Sequence, residues 1–74
     1  MKKETTKCGL KEGLWTCEKK REQKDGSMQT IAEVGAKMDG QCNLVVQKME
    51  GDDASMNQLH EHMLKTMKGN CVKN

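Results

Sequence analysis

Met56, His60, Met63 and Met67 recur at intervals of four, three and four residues near the C-terminal end of the chain. On a helix, about 100° per residue sets them on one face, where three thioethers and an imidazole make a soft donor set of the kind that takes Cu(I) or Ag(I). Leu59 and Leu64 share that face, and all six side chains fall within an arc of about 140°. A chain with seven methionines and no phenylalanine uses thioethers as core filler, so a buried stripe is the reading preferred over a metal site. In that reading His60 needs a hydrogen bond or a place at the edge of the stripe, because an unpaired buried polar group costs about 1 to 3 kcal/mol. His62 lies about 120° from the stripe and is expected in solvent, so the two histidines form no clamp on this helix. No cofactor is expected.

Cys8, Cys17, Cys42 and Cys71 are an even count in a short chain, which suits two disulfides and an oxidising compartment, secreted or periplasmic. Their spacing contains no Cys-x-x-Cys, so a zinc knuckle or ribbon is not expected. The opening MKKETTKCGL starts with the basic residues of an export signal but lacks the apolar stretch that should follow. No apolar run approaches the ~18 residues of a membrane span, so no membrane partner is expected.

Lys19, Lys20, Arg21 and Lys24 cluster in CEKKREQKDG, and a basic hairpin followed by a helix can supply phosphate contacts to nucleic acid. Glu18, Glu22 and Asp25 interrupt the cluster, the net charge is only +2, and Trp15 is the sole aromatic for stacking. A solvated hairpin guarded by lysines explains the same residues and leaves nucleic-acid binding as an alternative. The sequence contains no Gly-x-Ser-x-Gly, no phosphate-cradling glycine loop and no cysteine placed beside an activating histidine, so no enzymatic activity is expected.

The elements that must position these residues follow from the pattern. Ten Leu, Ile and Val in 74 residues allow one thinly packed domain, the size at which a staple is usually needed. Asp25-Gly26 and Asp39-Gly40 read as hairpin turns, and residues 28–38 between them alternate with period two. A two-residue first turn puts Cys17 opposite Val34 and Trp15 opposite Ala36; a three-residue second turn puts Ala36 opposite Leu44 and Val34 opposite Val46. The cost is Glu18 facing Glu33, a like-charge pair relieved by neighbouring lysines. Ser55 with Gln58 forms a capping-box signature, and Lys65, Lys68 and Gly69 suit the helix end.

The expected fold is therefore α+β: a three-stranded antiparallel β-meander with one C-terminal α-helix packed on one face, stapled by disulfides. Residues 1–12 form a tail or an extra edge segment, and residues 13–74 the single small domain. In this arrangement Cys17 and Cys42 are too far apart to bond. The preferred pairing is Cys8 with Cys17 and Cys42 with Cys71; Cys8 with Cys42 and Cys17 with Cys71 is also acceptable. The inferred register sets Ile31 opposite Met49 with Val45 nearby, a small apolar patch on the outer face. The expected function is a non-enzymatic binding module of an exported protein, which engages a protein partner, or itself, through the exposed sheet face or an edge.

Overall fold

The computed structural model describes residues 3–70, with side chains through residue 67. Strands β1 (Glu4–Lys11), β2 (Leu14–Glu22), β3 (Met28–Met38) and β4 (Leu44–Gly51) form one antiparallel sheet in chain order, followed by helix α1 (Asp53–Asn70). The α+β class and the C-terminal helix agree with expectation, but the sheet has four strands rather than three. The added strand is β1, the segment expected as either tail or edge. Its turn explains it: Glu12 and Gly13 both have positive φ, 52° and 80°, and Lys11 pairs with Leu14. That is the two-residue hairpin whose twist matches the flanking strands.

The two Asp-Gly pairs do something else. Asp25 Oδ1 accepts the Ser27 N–H at 2.9 Å and its hydroxyl at 2.6 Å, while Asp39 Oδ1 accepts the N–H groups of Gln41 at 2.8 Å and Asn43 at 2.9 Å. Using their carboxylates as acceptors for the local backbone, both aspartates build five-residue loops, 23–27 and 39–43, in place of the shorter turns. The first register survives this change. Cys17 faces Val34 and Trp15 faces Ala36 because a bulge with Ile31 as its extra residue absorbs the longer loop. The second register slips by two, so that Leu44 faces Met38 and Val46 faces Ala36, a shift that keeps each side chain on its face. A further bulge at Gln47 then sets Met49 opposite Val34.

The core lies on the inner face. Cys17, Ala32, Val34 and Ala36 from the central strands pack against Leu59 and Met63 of α1, and Cys17, Val34 and Met63 have no exposure. Met56, Met67, Trp15, Leu44 and Cys8 pack around this cluster. The helix starts at a sharp corner where Gly51 has φ 115° and the Asp52 N–H donates to the Ile31 carbonyl at 3.1 Å. Asp52 Oδ2 accepts the Ser55 N–H at 3.1 Å and its hydroxyl at 3.0 Å, so Asp52, not Ser55, caps the helix. Among the described residues, no helix is long and apolar enough to cross a membrane.

Cys8 stands directly opposite Cys17, with 4.0 Å between their Cα atoms, and the two are joined in the expected disulfide. This cystine ties β1 to the core. Cys42 is also disulfide-bonded rather than a free thiol. Cys71, its partner in the preferred pairing, lies outside the described residues.

Candidate interaction surface

The residues of the soft donor set are the ones that close the core. Met63 is fully buried against the sheet, with Met56 and Met67 packed beside it, which is the stripe reading. His60 is half-buried at the edge of that stripe and His62 is exposed. His62 lines a cleft between β1 and α1 with Thr6, Cys8, Lys19, Gln58 and Leu59. The charge in this cleft is already matched, since Lys19 Nζ lies 3.3 Å from Glu4 Oε1 and donates a hydrogen bond to Gln58 Oε1.

The basic hairpin is divided in the same way. Arg21 Nε donates to Glu4 Oε2 at 2.7 Å, and the Arg21 and Lys19 donors hold the Glu4 carboxyl below its ordinary range. Lys19 and Arg21 face the helix side, Lys20 points to the opposite face between Thr5 and Thr30, and Lys24 lies in the loop beyond the strands. The four cations therefore share no single surface.

The outer face is organised by Glu33. Its side chain, 11% exposed, receives Lys48 Nζ at 2.7 Å and has Lys11 Nζ at 3.8 Å. The Lys48 hydrogen bond, working against burial and aided by a hydrogen bond with Glu18 opposite, holds the Glu33 carboxyl below its usual range, and Glu33 in turn raises the Lys48 ammonium. Beside this group lies room of a specific kind. A Cβ on Gly35 would meet Thr16 Oγ1 at 3.4 Å, Lys48 Cβ at 3.5 Å and Leu14 Cδ1 at 3.6 Å, ordinary van der Waals contacts that an alanine would fill without displacing them.

The expected patch of Ile31, Val45 and Met49 is not assembled by this register. Met49 lies opposite Val34 on the helix side, not opposite Ile31; Val45 lies opposite Lys37 on the outer face; Ile31 is at the far end of the β3–β4 pair, in the bulge that contacts Asp52. The slip of the second hairpin and the Gln47 bulge cause the separation.

What takes its place is an edge. Among the described residues β4 pairs only with β3, and three of the five exposed large apolar side chains lie on it: Val45 at 38%, Val46 at 36% and Met49 at 42%. Val45 is on the outer face, and Val46 and Met49 are on the inner face, where α1 packs against β4 yet leaves both more than a third exposed. The strand has no proline, and its one lysine, Lys48, is drawn across the sheet to Glu33. The devices that normally blunt an edge strand are thus the Gln47 bulge and the charge of Glu50. The opposite edge, β1, has Lys7 and Lys11 and shows one large apolar residue, Leu10. Sequence reasoning marked Val45 and Met49 but missed Val46, because it had been placed inside the core; only the observed register and the helix position reveal its exposure. Comparison of the chain with protein-family models, with curated proteins and with solved structures yields no match.

Proposed function

We propose that the protein is a non-enzymatic binding module of an exported protein, and that it engages a protein partner by accepting an extended segment along β4. The carrying observation is that exposed apolar side chains concentrate on both faces of a strand whose outer side has no neighbour among the described residues. Added strands are recognised in this manner: backbone groups supply affinity and flanking side chains supply specificity. The cystine between Cys8 and Cys17 supports the exported setting, since such bonds persist in oxidising compartments.

A photo-cross-linking residue placed at Val46 tests this reading, with the same probe at Lys11 on the opposite edge as control. The expected result is a discrete protein adduct from position 46 only, formed by the purified chain or in material from an oxidising compartment, and lost when Val45→Lys is added. No specific adduct from β4 in either setting overturns the proposal.

A further inference from the structure

The partner best matched to this edge is a second copy of the chain. We infer that two copies pair β4 to β4, antiparallel, about a two-fold axis that passes beside Met49; the inference rests on the reading of β4 as the docking edge. A two-fold perpendicular to the sheet keeps inner side chains with inner and outer with outer, as an isologous contact requires. The Gln47 bulge interrupts the alternation of β4, so a regular pairing must use residues on one side of it. Beyond the bulge, Lys48 and Glu50 point outward and Met49 inward.

Centring the axis on Met49 places the two partly exposed Met49 side chains together on the inner face. On the outer face it sets each Lys48 opposite the second copy's Glu50, giving two opposite-charge cross-strand pairs. Shifting the axis by one residue in either direction sets Lys48 against Lys48 or Glu50 against Glu50. Charge complementarity therefore selects one register. The groups are available for it: Glu50 is exposed and makes no ion pair among the described residues, and Lys48, although its ammonium bonds Glu33 across the sheet, keeps further N–H donors for a second carboxylate.

The overlap is short, so the dimer is a weak one populated at high concentration. Equilibrium sedimentation of the full chain from about 10 µM to about 1 mM should show the average mass rising from 8.3 kDa toward twice that value. Glu50→Lys and Lys48→Glu should each weaken self-association about tenfold, and an equal mixture of the two variants should restore it, because lysines then face glutamates in both pairs. Because Lys48→Glu also disturbs Glu33, Met49→Cys provides a second measurement: mild oxidation should link two copies through position 49, whereas Val45→Cys should not. Overturning results are a mass that stays at 8.3 kDa throughout, or a dimer indifferent to Glu50→Lys and unlinked at position 49. A foreign-protein adduct from Val46 with no self-association would refute the second copy while leaving the docking edge intact; no adduct from Val46 together with no self-association would refute both.

Discussion

Gly51 occupies a position that no other residue can fill without moving the backbone. A Cβ there would lie 2.3 Å from the Ile31 carbonyl oxygen and 2.6 Å from the Ala32 Cα, and φ is 115°. Both obstacles are main chain in the central strand, so a side chain can be accommodated only by opening the corner between β4 and α1. Gly51→Ala should cost at least about 2 kcal/mol, seen as a lower urea midpoint with the same slope. An equally stable variant would show that the corner is looser than these distances state. Met63 gives the complementary case. It is fully buried among Cys17, Val34 and Leu59, and Met63→Ala should cost about 2 to 5 kcal/mol by leaving a cavity under the helix. Met63→Leu conserves volume and should cost under about 1.5 kcal/mol. A metal-ligand role removes that ranking: leucine would abolish Cu(I) uptake as completely as alanine, so Cu(I) titration of both variants separates the roles.

At the scale of elements, β1 is joined to the molecule differently from its neighbours. Among the described residues, only Cys8 of this strand packs against the core, and its other attachments include the ladder to β2 and ion pairs from Glu4 and Lys11. Replacing Cys8 and Cys17 together by Ser and Ala should cost roughly 2.5 kcal/mol, from loop-closure entropy alone for a separation of nine residues. Amide exchange in that variant should accelerate first in β1 and leave α1 protected; simultaneous loss in both would make β1 part of the cooperative core. This also explains what was legible beforehand. β2, β3, β4 and α1 carry the apolar periodicity and were readable, because residues that bury a shared face must repeat with the period of their element. β1 alternates weakly, since of its helix-side residues Glu4, Thr6, Cys8 and Leu10 only Cys8 packs against the described core. A turn signal existed in Glu12-Gly13 and was overshadowed by the two Asp-Gly pairs. Their aspartates had another use for the side chain, and the bulges at Ile31 and Gln47 left no trace in hydrophobic pattern. The placement of the exposed apolar residues depended on the second register and the Gln47 bulge, so the sequence marks Val45 and Met49 but groups them with Ile31 as a patch on the outer face.

The whole molecule is held against acid by carboxylates distributed over every junction. Glu4 links β1 to β2, Asp25 and Asp39 organise the two loops, Glu33 anchors the outer face, and Asp52 caps α1. All five are held below ordinary values of 3.8 for Asp and 4.5 for Glu: Glu4 first by Arg21, Asp25 by Ser27, Glu33 by Lys48, Asp39 by the Asn43 N–H and Asp52 by the Ser55 N–H. A depressed folded value means that the unfolded chain binds protons first, so stability contributed by these groups is complete above the ordinary values and disappears as pH falls through the depressed ones. Melting temperature should therefore be nearly level between about pH 7 and pH 5 and drop steadily below about pH 4.5. The contribution of Lys48 runs the other way, because its raised ammonium value adds stability below 10.5 that is lost as pH climbs through the folded value. Glu33→Gln should lower the plateau by breaking the bond to Lys48 and make the acid decline shallower, since one of the five protonation steps is removed. Glu33 is the most informative of the five because its side chain is only 11% exposed, so salt screens it least. Thermal melts of both proteins from about pH 2.5 to pH 7 measure the two slopes, and equal slopes would mean that the Glu33–Lys48 bond contributes nothing to the folded state's proton affinity.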